Sequence, residues 1–286
     1  MGPSRFAATA AALLGGLAMA SAAQAFTVLD LASSGQLYDF NSTSGAITAV
    51  GSESIVMEGL GQIGTTVYGE SAHQLYSISS AGVETTIGSA SGVTFVDFGS
   101  TTTGLYAIST TGDLYSIDKT SGVATEVGSG LGLGTFASHL STIGMSTGGG
   151  TLLFDDGTTM YSLNTTTGVA TSVGTITGGP ANYGALAFLS AAQTGSTAGL
   201  YGGSNKDNVH GASLHSALVS FNSSYVGTLV AETTPNDTSH TAFWGMAPGF
   251  GVKVVPEPSE WALMLVGVGA VGGALRGRRR KATAAA

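Results

Sequence analysis

Leu37-Tyr38-Asp39-Phe40-Asn41-Ser42-Thr43-Ser44-Gly45-Ala46-Ile47-Thr48-Ala49-Val50-Gly51 is a phrase that this chain repeats. It aligns with Leu75 to Gly88, Leu114 to Gly128 and Met160 to Gly174, and more loosely with Leu218 to Ala231. Each copy reads as a strand, a turn and a second strand. Asn41, Asp118, Asn164 and Asn222 end their first strands with side chains that form Asx turns. Gly45, Gly82, Gly122 and Gly168 then supply the positive φ that a tight hairpin needs.

The copies start at 37, 75, 114, 160 and 218, intervals of 38, 39, 46 and 58 residues, the first three near the spacing of four-stranded propeller blades. The intervals hold further strands, Val93 to Phe98 with Gly104 to Ser109 and Leu140 to Met145 with Leu152 to Asp155. The residues after Leu218 and before Leu37 together supply one more interval, so five intervals close a ring. The expectation is an all-β domain over 26–254, a five-bladed β-propeller, with a β-sandwich or β-solenoid as the alternative. In the propeller, His240 to Ala247 forms the inner strand of the blade begun near Thr27, fastening the ends together. Runs such as Leu105-Tyr106-Ala107-Ile108 lack polar alternation because both faces of a blade press on neighbours. The phrase resembles the Leu-Tyr-x-Ile-Asp-x-x-Thr-Gly repeats of bacterial secreted and surface propellers.

Charge narrows the partners. Between 26 and 255 there are three lysines (Lys119, Lys206 and Lys253), no arginine and fifteen carboxylates, a net charge of −12. Such a surface repels nucleic acid and anionic lipid. Charged residues are 9% of the chain and glycines number 45, which leaves an exterior of hydroxyls and amides suited to an exported protein. The absence of cysteine excludes a disulfide scaffold, a thiolate zinc site and a cysteine nucleophile.

Both ends read as processing segments. Arg5, an apolar stretch from Phe6 to about Ala20, and then Ala23-Gln24-Ala25 form the pattern of a signal peptide over 1–25, with cleavage between Ala25 and Phe26. At the other end Val255-Pro256-Glu257-Pro258-Ser259 precedes an apolar run from Trp261 to Leu275, and Arg276, Arg278, Arg279, Arg280 and Lys281 follow. The prolines stop the preceding strand. Trp261 and the cations mark the two interfaces of a membrane helix over about 261–275 whose basic tail, 276–281, stays cytoplasmic. Fifteen helical residues rise about 22 Å against a hydrocarbon core of about 30 Å, so the anchor is marginal and suits a transient stay.

The segment 255–286 resembles the PEP-CTERM family of sorting signals, in its Pro-Glu-Pro triplet, following tryptophan, short apolar helix and terminal arginine cluster. The resemblance implies export through the secretion machinery, an inner-membrane intermediate, cleavage by an exosortase partner, and a destination in the envelope or outside the cell. It also implies association with exopolysaccharide and biofilm. It says nothing about the domain that precedes the tag.

Catalytic motifs are scarce. Gly144-Met145-Ser146-Thr147-Gly148 matches the hydrolase elbow pattern, but Gly149 and Gly150 lead into a strand and not a helix, so it reads as a turn. Gly59-Leu60-Gly61-Gln62-Ile63-Gly64 matches a dinucleotide fingerprint without the helix that would hold the pyrophosphate. No cofactor is evident; Asp155-Asp156-Gly157 offers two carboxylates to calcium, a reading that nothing else in the sequence supports, and the order reads first as a turn. The longest polar insertion, between Thr194 and His215, carries Asp207, Asn208, His210 and His215 and is the candidate loop for a cation or sugar. An enzyme acting on extracellular polysaccharide would need Asp97, Asp155, His139 or His210 to meet within about 6 Å in a cleft. No pair is recognisable in the sequence, so the expectation is a non-catalytic envelope or matrix protein making saccharide or protein contacts, with the enzyme as the alternative.

Overall fold

The computed structural model describes residues 25–250 apart from 53–54, 90–91, 129, 133–143, 181, 196, 205–215 and 234–242. The leader up to 24, the insertion residues Asp207, Asn208, His210 and His215, and the whole tail from 251, with its expected membrane helix, lie outside the described residues. Among those described, no helix is long and apolar enough to cross a membrane.

The strands fall into four-stranded antiparallel units. The first holds β1 (Thr27–Ala32), β2 (Leu37–Asn41) and β3 (Ile47–Val50). The second runs through β4 (Gly59–Ile63), β5 (Thr66–Ser71), β6 (Gln74–Ile78) and β7 (Glu84–Ser89). The third comprises β8 (Phe95–Ser100), β9 (Leu105–Ser109), β10 (Leu114–Ile117) and β11 (Ala124–Gly128). The fourth comprises β12 (Gly144–Thr147), β13 (Leu152–Asp155), β14 (Thr159–Leu163) and β15 (Ala170–Thr175). The fifth has β16 (Tyr183–Leu189), the short helix α1 (Ala191–Thr194), β17 (Gly199–Ser204), β18 (Ala217–Phe221) and β19 (Gly227–Glu232). The last strand, β20 (Phe243–Ala247), returns to β1, with Leu29 opposite Ala247 and Asp30 opposite Met246, and so completes the first unit.

The innermost strands lie side by side. β4 pairs in parallel with β8, and β12 with β16. β8 also packs on β12, β16 on β20, and β20 on β4, so each inner strand touches the next around a closed circuit. The fold is all-β, repetitive and propeller-like.

Glycine makes the close approach possible. A Cβ on Gly59 would sit 2.4 Å from the Phe98 carbonyl oxygen, one on Gly99 2.5 Å from that of Ser146, and one on Gly245 2.7 Å from the Leu60 nitrogen. Side chains then fill the wedges between units. In β1, Val28 joins Phe40 and Phe243 in a cluster facing the fifth unit, while Leu29 and Leu31 join Leu60 and Val67 facing the second. In β13, Leu153 faces the fifth unit and Phe154 the third. Alternate residues therefore bury on opposite neighbours, the reason the strands lack polar alternation. Each such apolar side chain contributes about 1.5–3 kcal/mol.

The repeated phrase forms the outer hairpin of each unit. Asn41 Oδ1 accepts the N–H groups of Thr43 and Ser44 at 2.9 and 3.0 Å, and Asp118, Asn164 and Asn222 accept equivalent pairs in their own turns. Gly45, Gly82, Gly122 and Gly168 have φ between 67° and 74°. Each hairpin tip rests on the preceding unit: Ala81 on Gly51, Ser121 on Gly88 and Thr167 on Gly128, in each case with a backbone oxygen where a Cβ would stand. The tip of the first unit closes the round, Gly45 lying against the Glu232 carbonyl.

Candidate functional site

Four turns join an inner strand to the next strand of its unit, Gly64-Thr65, Thr101 to Gly104, Gly148 to Gly150 and the connection containing α1, and they lie at one end of the circuit with Pro248-Gly249, which follows β20. Together they surround a cavity of about 780 Å³, within the ordinary range for a ligand site. Its wall holds Gln62, Thr102, Ser190 and Gln193 as polar groups and Phe188 and Pro248 as apolar ones; among the described residues no ionisable side chain lines it.

A collar of hydrogen bonds fixes this mouth. Gln62 donates from Nε2 to the carbonyls of Gly249 (2.9 Å) and Gly64 (3.1 Å), and its Oε1 accepts from Gly249 N–H at 3.1 Å. Ser100 Oγ accepts from Gln62 N–H at 2.8 Å, donates to the Gln62 carbonyl at 3.0 Å, and accepts from Gly148 N–H at 3.1 Å. Thr147 Oγ1 donates to the Leu60 carbonyl, and Thr102 N–H to that of Gly149. Gln193 caps α1, its Oε1 accepting from Ser190 N–H, while its Nε2 reaches the Pro248 carbonyl at 3.2 Å. Polar contacts thus tie units one to two, two to three, three to four, and five to one. Units four and five are joined by the backbone ladder of β12 and β16, Ser146 beside Leu186 and Thr147 beside Ala187, and next to it the Phe188 ring lies over Gly149, where a Cβ would be 2.2 Å from it.

The far end of the inner strands is different. Glu70, Asp97 and Asp155 are buried, each with one carboxyl oxygen that has no hydrogen-bond partner among the described residues. Burial, reinforced by half-buried Glu58, pushes the Glu70 carboxyl up to about 8 against its bond from His73 N–H. Burial also holds Asp97 and Asp155 well above the carboxylate range, despite bonds from the backbone of Phe98 and Met145 to Asp97 and of Gly157 to Asp155; each aspartate is raised further by a neighbouring carboxyl. Tyr183 is lifted by burial and by Asp155.

Asp97 raises Asp155 electrostatically, so the two influence each other, but inside the protein and in no cleft that the structure shows. Neither borders the mouth cavity, and His139 and His210 lie outside the described residues. Asp155 and Asp156 both act as turn acceptors, Asp155 for Gly157 N–H and Asp156 for Thr158 and Thr159 N–H. Among the described residues no group of three or more histidines or carboxylates gathers to hold a metal. Ser146 of the elbow-like pattern is fully buried on β12 and accepts from Leu153 N–H, and Gly148 and Gly149 make a left-handed turn. The segment Gly59 to Gly64 is strand β4 and its turn.

Sequence reasoning missed the mouth. Its polar members come from separate turns without a shared motif, and Gln62 was visible only as part of a chance glycine pattern.

No protein-family model matches the chain, and no curated protein matches it. Among solved structures it is similar to a chain of a nidogen/laminin complex, with 11% identity, covering 78% of this chain and 97% of that one, at a TM-score of 0.47. It is also similar to BamB from Moraxella catarrhalis, with 15% identity over 72% of this chain and 69% of that one at 0.30, and to a chain of a mitotic checkpoint complex, with 12% identity over 78% and 80% at 0.39. No TM-score among these reaches 0.5, so the architecture rests on the sheet topology itself.

Proposed function

We propose that this chain is an exported, tail-sorted protein of the cell envelope or extracellular matrix. In this reading its domain is a five-bladed propeller that binds an uncharged saccharide at its mouth and catalyses no reaction. The single observation that carries the binding role is the mouth cavity, which is lined by amide and hydroxyl groups, an aromatic ring and, among the described residues, no charge, in a domain of net charge −12. A pyranose presents an apolar C–H face and a hydroxyl edge, and this wall offers a counterpart to each. The acids with raised proton affinity are enclosed at the other end, which favours a structural role for them over acid–base chemistry.

The expected leader junction fits this domain physically. Ala25 and Phe26 are each 7% exposed, Phe26 N–H donates to Ser42 Oγ at 2.9 Å, and its ring stands edge-on to Tyr201. A peptidase would reach the bond between them only before the ring closes, as export of an unfolded chain provides. At the other end the sorting tag, 255–286, lies outside the described residues.

Calorimetric titration of the protein with neutral disaccharides and with uronate-containing ones of the same linkage tests the binding role. The expected result is heat from a neutral disaccharide only, lost in Phe188→Ala. Binding of the uronates alone, or of neither, contradicts it. Mass spectrometry of the mature protein from cells with and without an exosortase tests the sorting role; retention of 261–286 where the enzyme is present contradicts it.

A further inference from the structure

We infer that the mouth is the inner end of a groove that takes an extended, uncharged glycan chain, laid outward between the fourth and fifth units over Phe188 to Phe221 and Tyr225. The inference rests on the saccharide reading of the mouth and adds to it the length of the ligand and its path.

A second cavity, of about 540 Å³, lies on the perimeter between these two units and shares Phe188, Ala198 and Gly199 with the mouth. The two spaces share this wall, so a path leads from the mouth past Phe188 to the perimeter, above the β12–β16 ladder that joins the units.

Tyr225 is the second observation. Four outer hairpins place glycine at their left-handed position, whereas the fifth places Tyr225 there at φ 57°. A bulky residue at positive φ is strained, and such strain is retained where it serves a site. The strained backbone carries the ring along the groove wall, half-buried, over Gly174, whose missing Cβ would otherwise stand 2.6 Å from it. Phe221 lies in the same wall, edge-on to Tyr183 at 5.0 Å.

The chemistry of the wall selects the occupant. Phe188, Phe221 and Tyr225 offer apolar faces, and Thr151, Ser162 and Ser223 stand beside them with hydroxyls. Asn222 Oδ1 is taken by the N–H groups of Ser224 and Val226, which leaves its Nδ2 hydrogens as donors. Among the described residues no charged side chain lines either cavity, although the domain is strongly acidic. An anionic chain would meet repulsion with no compensating cation, whereas a neutral glycan repeats the face-and-edge pattern of this wall along its length.

The test compares disaccharide with hexasaccharide for neutral β-1,4- and α-1,4-linked glucans, titrated into the wild-type protein and into Tyr225→Gly. Glycine prefers the left-handed conformation, so the variant is expected to keep its fold and its melting temperature. In the wild type one hexasaccharide should bind at least about tenfold tighter than its disaccharide; in Tyr225→Gly the hexasaccharide should fall to the disaccharide's affinity while the disaccharide stays unchanged. Equal affinities in the wild type, or an undiminished ratio in the variant, overturn the groove and leave the mouth reading standing. No binding of either length overturns both. A proline-rich peptide that binds in place of the glycan overturns the choice of occupant. If the variant does not fold, saturation-transfer NMR on the wild type decides: transfer to three or more consecutive sugar units supports the groove, and transfer confined to one terminal unit overturns it.

Discussion

The two ends of the inner-strand circuit solve the same packing problem with opposite chemistry. At the mouth the polar groups are amides and hydroxyls, satisfied by one another across the units and facing a cavity. At the far end they are carboxyls, buried and only partly satisfied. Perturbed proton affinity alone would direct attention to the far end, since functional sites concentrate it. Accessibility directs it to the mouth. A displaced titration marks a group that the fold has enclosed, and it becomes evidence of a site only where a ligand can reach it.

The largest expected effect tests the close approach at the far end. Gly59→Val would drive a side chain into the Phe98 carbonyl, which is backbone and cannot move aside. A loss of more than about 3 kcal/mol is expected, at the upper end for overpacking, read as failure to show a cooperative thermal melt. A variant melting within a few degrees of the wild type would break the claim that the inner strands touch there.

The carboxyls come next. Because Glu70 is raised from 4.5 to about 8 in the folded chain, the unfolded chain binds fewer protons between those values, so stability falls as pH rises through that window. The fall is about 1.4 kcal/mol per pH unit where the difference is fully developed. Glu70→Gln should flatten the profile and raise the melting temperature at pH 8; Asp97→Asn and Asp155→Asn should act in the same direction. A wild type more stable at pH 8 than at pH 5 would contradict the enclosed, protonated state.

Gln62→Ala removes three side-chain hydrogen bonds at the mouth and should cost about 1–3 kcal/mol with no change in the pH profile, separating the two ends by experiment. The smallest effect belongs to the turns. Asn164→Ala removes an exposed acceptor for two N–H groups and should cost about 1 kcal/mol, measured by urea unfolding.

The outer hairpins were legible in the sequence because their geometry is local: Asn41 or Asp118 four residues before a glycine dictates a turn wherever it stands. The return of β20 to β1 was legible from the spacing of the copies, since one interval was left to be shared by the two ends. The mouth was not legible because its chemistry is assembled from five distant turns, and Gln62, Thr102 and Gln193 carry no mutual spacing. Asp97 and Asp155 were legible only as candidate acids with no recognisable partner; their burial comes from packing between units, which no local pattern records. The absence of glycine at Tyr225 was visible, but its meaning required the cavity beside it.

The mouth exists only if the units converge on it, and that convergence depends on the last strand closing onto the first. The chain has no cysteine, so Leu29→Cys combined with Ala247→Cys introduces one possible intramolecular disulfide between register partners. Facing positions of an antiparallel pair have Cα atoms about 4.5–5.5 Å apart, within reach of a disulfide. Oxidation of the folded double variant should give a monomeric cross-linked chain, read by intact mass and by faster migration on a non-reducing gel. Free thiols that persist in the folded, oxidised protein would contradict the closed ring.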